Sequence, residues 1–213
     1  MKTIIKAALI SLFLPLMANA AGPVKYEEGV HYEVVSDRAS TKPEVKEFFS
    51  FYCPACNNFE ALLADLKPML GKDIKFKKSH VDFMGGRTKE NQQMLSQALA
   101  TAATLPQKDK IVGALFSHYH TKRNKFNSVA DIKDIFVAQG VNGAKFDKLY
   151  KSFSVRTMTS KMKKDQAYFQ NKGGLSSVPT FIVNGKYKLI LGKKSGVSSA
   201  ETMNDLITYL TKK

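Results

Sequence analysis

A strand pattern that stops, gives way to a long helical stretch and then resumes is the feature that most constrains this chain. Glu44-Val45-Lys46-Glu47-Phe48-Phe49-Ser50-Phe51-Tyr52 is mostly aromatic and aliphatic, which predicts a buried strand. Asn57 to Leu70 then carries Phe59, Leu62, Leu63, Leu66 and Leu70 at helical spacing, with Lys67-Pro68 disrupting the pattern near its end. Ile74 to Phe83 alternates well enough for a second strand, broken by Met84-Gly85-Gly86, and His31 to Val35 is a candidate edge strand. From about Thr88 to Gln170 the period is helical. Met94, Leu95, Ala98, Leu99, Ala102 and Ala103 mark one helix, stopped before Pro106, and Lys110 to Tyr119 marks another. Ser128-Val129-Ala130-Asp131 opens a third, with Gly140 as its stop, and Phe146, Leu149, Tyr150 and Phe153 mark a fourth. After Gly173-Gly174 the strand signal returns as Thr180 to Val183, an Asn184-Gly185 turn, and Lys186 to Leu191, followed by a closing helix over Ser198 to Leu210. The flanking segments have to share one sheet, so the chain reads as an α/β domain interrupted by an all-helical insert. The expected divisions are residues 1–20 as a leader, 21–86 and 167–213 as the two parts of the sheet domain, and 87–166 as the insert.

The only two cysteines, in Cys53-Pro54-Ala55-Cys56, fall where the first buried strand hands over to its helix. A disulfide across so short a loop restricts the unfolded chain little, about 2 kcal/mol, so a structural staple is a poor use of it. Zinc takes four ligands as a rule, and no second Cys-x-x-Cys or spaced histidine pair exists; His118 and His120 sit in a polar stretch that reads as a solvated loop. Strand, Cys-x-x-Cys, helix is a redox arrangement, because a helix N-terminus favours a thiolate.

Lys2 and Lys6 precede an apolar stretch from Ala7 to Met17, and Ala18-Asn19-Ala20 follows as a small-residue cleavage site. This is the order of a secretory signal peptide, and the stretch is too short to span a bilayer. Export puts the thiol pair in an oxidising compartment, and the bacterial periplasm is the expected location. A single pair closing a short loop serves there as a reagent, as oxidant, reductant or isomerase.

The net charge is +15, or +13 without Lys2 and Lys6. The lysines gather at Lys72 to Lys78, around Lys122-Arg123 and Lys125, at Lys161 to Lys164 and at Lys193-Lys194. Such runs are solvated faces or surfaces that attract anionic membranes and acidic client proteins. Nucleic acid does not fit an exported chain with no recognition motif.

The Cys-x-x-Cys after a buried strand, Val178-Pro179-Thr180 leading into a late strand, and the helical insert together resemble the thioredoxin superfamily. Within it the chain is similar to the DsbA family of periplasmic thiol:disulfide oxidants, through Glu47 to Pro54, His80-Val81-Asp82-Phe83-Met84-Gly85-Gly86 and Val183-Asn184-Gly185-Lys186-Tyr187, over essentially all of the chain after the leader. The resemblance implies a thioredoxin-like fold with an inserted all-helical domain. It implies Cys53 as the more exposed nucleophile, Cys56 as the buried resolving thiol, and Pro179 as a cis-proline facing them. Val178 would then offer its backbone to an extended client, with Pro54 and Ala55 also on the client side. Glu47 has two readings, a buried acid exchanging a proton with Cys56 or a strand-end glutamate reaching solvent; Lys78 and Glu60 are weaker candidates for the charges around it.

The implied partners are reduced, unfolded exported proteins and a quinone-linked membrane oxidase resembling DsbB. A monomer is expected, and no metal or organic cofactor is needed. The rival readings are a reductase or isomerase, and a basic client-binding holdase whose thiols are incidental. One departure stands out: position 55 is alanine, where the best-known family members carry histidine. A histidinium there would stabilise the Cys53 thiolate, so the expected disulfide is a milder oxidant.

Overall fold

The computed structural model describes residues Tyr26–Lys213; the expected leader, 1–20, lies outside the described residues. Strands β1 (Tyr32–Val34), β2 (Glu44–Phe49), β3 (Lys75–His80), β4 (Thr180–Val183) and β5 (Tyr187–Leu189) form one sheet in the order β1-β5-β4-β2-β3. Only β2 and β3 run parallel; the other neighbours are antiparallel. The helices are α1 (Pro54–Met69), α2 (Lys89–Ala102), α3 (Lys108–His120), α4 (Val129–Ala138), α5 (Gly143–Tyr150), α6 (Phe153–Asn171) and α7 (Ala200–Thr211). β2, an interior strand one in from the β3 edge, therefore pairs with β3 ahead of the helical block and with β4 beyond it.

Period-2 alternation on β2 decides what each face touches. Val45 points into the core that β1, β4 and β5 share with Leu63 and Leu66 of α1 and Met203, Leu206, Ile207 and Leu210 of α7. Phe48, on the other face, packs with Val81, Ile182 and Phe169 of α6. Each such aromatic or aliphatic side chain contributes about 1.5–3 kcal/mol on full burial. A third cluster fills the helical block and reaches back to Phe49, Phe51, Tyr52 and both cysteines. The thiol pair thus sits at the seam between sheet and helices.

Local signals explain most element ends. Asn184 and Gly185, at φ of 51° and 65°, make the tight turn between β4 and β5, with Lys186 N–H on the Val183 carbonyl at 2.9 Å. Asp131 Oδ2 accepts the N–H groups of Ser128 and Asn127 at 2.9 and 2.7 Å, fixing the start of α4. Other expectations are corrected. β2 ends at Phe49, before Ser50-Phe51-Tyr52, because β3 and β4 offer no partners beyond it. α1 continues through Pro68, which lies in its last turn and forfeits one backbone N–H bond there. His118 and His120 are in the last turn of α3, not a loop. The signal at Phe146 to Phe153 is two helices: α5 ends at Tyr150, Ser152 Oγ caps a new one at Val155 N–H, and Phe153 is 76 % exposed. α6 buries only Val155, Gln166 and Phe169, and its lysines mask the apolar stripe. It runs unbroken through position 166.

Candidate active site at the start of helix α1

Where β2 ends, Ser50 turns the chain: its carbonyl accepts Cys53 N–H at 3.0 Å and its Oγ accepts Tyr52 N–H at 3.2 Å. Cys53 becomes the N-cap of α1, with φ −86° and ψ 115°, and Pro54 occupies the first turn, where no N–H is missed. Cys53 Sγ takes the place of a serine oxygen and accepts the N–H of Cys56 at 3.2 Å. This hydrogen bond and the helix dipole both favour a thiolate.

The Cys53 thiol is lowered to about 6, chiefly by the hydrogen bond from the Cys56 thiol, against the cost of burial and with help from the N–H groups of Cys56 and Ala55. Cys56 moves the other way, far above a normal thiol, because it donates to Cys53 and because it is buried, with the Glu47 charge adding to the rise. Two thiols one helical turn apart are driven to opposite protonation states. Both are buried: Cys53 is 4 % exposed and Cys56 fully enclosed, so the expected accessible thiol is only a narrow opening. Tyr52 and Val178 pack in the same core and leave that opening small.

The Val178–Pro179 peptide bond is cis. The Val178 carbonyl does not turn outward as expected of a client-pairing group; it faces the thiol and accepts from Cys53 Sγ at 3.5 Å. Val178 N–H has no backbone partner among the described residues. Pro179 leads directly into β4, so the sheet holds this loop against the start of α1.

Glu47 is fully buried on the face of β2 that carries Phe49, and it stands directly across from Lys78 in the parallel pair. Lys78 Nζ donates to Glu47 Oε2 at 2.6 Å and to Glu60 Oε1 at 2.5 Å, and lies 4.4 Å from the Phe49 ring centroid. The two carboxylates share one cation, and Glu47 Oε1 has no hydrogen-bond partner. Burial therefore pushes Glu47 up to about 7, only partly offset by Lys78. For Lys78 burial pulls down, but the two carboxylates outweigh it and the net shift is upward. Lys78 keeps its charge with two partners to choose from, so Glu47 is the member of the pair that takes up a proton. The solvent-reaching reading of Glu47 is corrected by this burial.

Sequence reasoning missed three groups that shape the site. Ser50 supplies the turn, and no motif signals it. His120 Nε2 donates to the Phe51 carbonyl at 2.9 Å, tying α3 to the segment before Cys53. His80 ends β3 fully enclosed, paired through Nδ1 with Ser96 Oγ at 2.9 Å, and burial lowers it to about 3, so it stays neutral. The sequence placed it two residues before an aspartate in a run of matching residues, without marking it as buried. Among the described residues no cluster of three or more His, Cys, Asp or Glu is placed to hold a metal.

Comparison with known proteins agrees with this geometry. The model of the DSBA-like thioredoxin domain matches residues 44–208. The thiol:disulfide interchange protein DsbA of Escherichia coli K12 is 37% identical over 185 residues, 85% of this chain and 84% of that protein. The crystal structure of the disulfide oxidoreductase DsbA from Proteus mirabilis superposes with a TM-score of 0.75 at 28% identity, covering 89% of this chain and 98% of the other. A DsbA variant from the same organism, solved with a non-covalently bound peptide PWATCDS, gives the same TM-score and covers 100% of that chain.

Proposed function

The chain belongs to the family of DSBA-like thioredoxin-domain proteins, and we propose that it oxidises pairs of client thiols through a mixed disulfide at Cys53. It is a thiol:disulfide oxidoreductase that acts on exported proteins. One observation carries the reading: a thiol lowered to about 6 caps a helix directly beneath the cis-proline loop, with its partner thiol strongly raised one turn below.

The reaction runs as two exchanges. A client thiolate attacks Cys53 Sγ of the protein disulfide; the client–Cys53 bond forms, the Cys53–Cys56 bond breaks, and Cys56 leaves as a thiolate. Because Cys56 holds a proton far more tightly than a normal thiol, it must be protonated as it leaves. Glu47, poised at about 7, is its proton source and recovers that proton from solvent through the Lys78–Glu60 side of the pair. The second client thiolate then attacks the client sulfur and expels Cys53. A leaving thiol lowered to about 6 departs readily at neutral pH. The client loses two protons and two electrons; the protein gains both electrons and retains one proton on Cys56, the other passing to solvent.

The free Val178 N–H offers an extended client one backbone hydrogen bond beside the sulfur. The Proteus mirabilis relative solved with a non-covalently bound, cysteine-containing peptide supports a peptide-binding role. Pro54 and Ala55 form the other lip of the opening. In this reading the protein works in the periplasm, which the N-terminal signal pattern and the family support, as a monomer reoxidised by a quinone-linked membrane partner resembling DsbB. The test is single-turnover oxidation of a reduced dithiol peptide by the disulfide form. A Cys56→Ser protein whose Cys53 has first been activated as a mixed disulfide with an aromatic thiol should exchange that thiol for a single-cysteine peptide and stay bonded to it. Cys53→Ser should form no such adduct, and a wild-type disulfide that persists beside excess reduced dithiol peptide would refute the assignment.

A further inference from the structure

A second cleft opens on the α3–α4 side of Cys53. It measures about 360 Å³ and is lined by Tyr52, Arg87, Tyr119, Arg123, Lys125 and Phe126, with the capped start of α2 at Thr88 on its rim. Tyr52 immediately precedes Cys53, so one wall of the cleft is the residue next to the nucleophile. The aromatic walls are fixed against each other: the Tyr52 ring lies 5.0 Å from Tyr119 and 6.0 Å from Phe126, and Phe126 stacks on His118 at 4.8 Å. Asn91 Nδ2 holds the Phe126 carbonyl at 3.3 Å, which ties the loop between α3 and α4 to α2.

The charges in the cleft are all of one sign. Three cations line it and no carboxylate does. Elsewhere in the fold lysines are paired with acids, but none of the salt bridges among the described residues involves Arg87, Arg123 or Lys125. Asp131, which accepts from Asn127 on the cleft's wall, is occupied in capping α4, and Glu90, in the first turn of α2, does not line the cleft. Arg87 is held in place without being neutralised. Its guanidinium lies 5.0 Å from the Tyr52 ring centroid and 5.5 Å from that of Tyr119, and donates to the Gly86 carbonyl at 2.8 Å and to the Tyr119 hydroxyl. A guanidinium has five N–H donors, so donors remain for a further acceptor.

A preorganised, uncompensated set of cations between aromatic walls is built for a carboxylate. We propose that this cleft is a subsite for an acidic side chain of the client, seated close in sequence to the client cysteine that bonds to Cys53. The inference rests on the thiol-exchange reading above and adds sequence preference to it. Clients with Asp or Glu beside the reacting cysteine are then oxidised ahead of neutral ones, which the overall positive charge alone would not arrange by position.

Three reduced dithiol peptides test this: one with two glutamates flanking the attacking cysteine, one with glutamines there, and one with the glutamates moved to the far end. Single-turnover rates are read against the disulfide form at low peptide concentration. The adjacent-glutamate peptide is expected to react about fivefold faster than the glutamine peptide, an advantage that shrinks with added salt. Arg87→Gln/Arg123→Gln should bring that ratio near one, and Arg87→Lys/Arg123→Lys, which keeps the charges and the same backbone demand at Arg123, should restore most of it. Lys193→Gln/Lys194→Gln, remote in sequence and outside the cleft, should leave the ratio intact. Equal rates for adjacent and distant glutamates, or a full preference surviving in the double glutamine variant, would overturn the subsite while leaving the oxidase reading standing. Failure of all three peptides to be oxidised would instead refute the oxidase reading.

Discussion

Replacing Glu47 with glutamine keeps the side-chain shape and removes the one buried carboxyl whose proton is in play. In the folded protein Glu47 is pushed from 4.5 to about 7, because burial penalises its charge more than its share of Lys78 repays. That rise of about 2.5 pH units corresponds to about 3 kcal/mol at 1.36 kcal/mol per unit. The folded form binds this proton more tightly than the unfolded chain does. Below about pH 4.5 both forms are protonated and the favourable contribution is fully present; it is lost as pH rises through 7. Glutamine has no such titration, and Lys78 keeps Glu60 as its partner in the variant. Urea denaturation of the reduced proteins, read by fluorescence or circular dichroism between about pH 4 and pH 8, gives the difference curve directly. Wild type should lose about 3 kcal/mol relative to Glu47→Gln across that window, while groups common to both proteins cancel. A flat difference would refute the argument that burial dominates at Glu47.

Cys53 should alkylate with a half-maximal rate near pH 6, and its ionised form should stabilise the reduced protein above the normal thiol range and cease to do so as pH falls through 6; a midpoint near 9 would contradict the capping geometry. Ala55→His should raise the reduction potential and lower the Cys53 midpoint further, since no cationic side chain now contributes to it; an unchanged or lower potential would sink that reasoning. Gly174→Ala places a Cβ 2.8 Å from Val35 Cβ, so thermal unfolding should show a loss of about 1–3 kcal/mol, and an unchanged melting temperature would mean that the β1 end yields freely.

The elements with strong periodicity were legible from residue pattern alone. β2 and α1 around the cysteines, α4 with its Asp131 cap and the Asn184-Gly185 hairpin all stand within a few residues of their expected places. What escaped had a physical reason. α6 is half-exposed and lysine-rich, so its stripe of Val155, Met158, Met162 and Phe169 looked like a charged surface run. Strand ends depend on partners, and the sequence does not say that β3 pairs no further than Phe49 and β4 no further than Phe48. At the site, residue types named Cys53, Cys56 and Glu47, while register explained why Lys78 is bonded to Glu47. The direction of the Val178 carbonyl and the enclosure of Cys53 are matters of a few ångströms that no motif carries. The Arg87 cleft assembles from the turn after β3, the end of α3 and the loop before α4, segments with no shared pattern.

The central claim is that the Cys53–Cys56 disulfide is an oxidant because the reduced pair stores its charge on a stabilised Cys53 thiolate. Equilibration of the pair with glutathione, quantified by the fraction of disulfide at each ratio of reduced to oxidised glutathione, measures that most directly. The account expects a potential on the oxidising side of about −200 mV, whereas a value near about −270 mV, typical of a thioredoxin reductant, would contradict it.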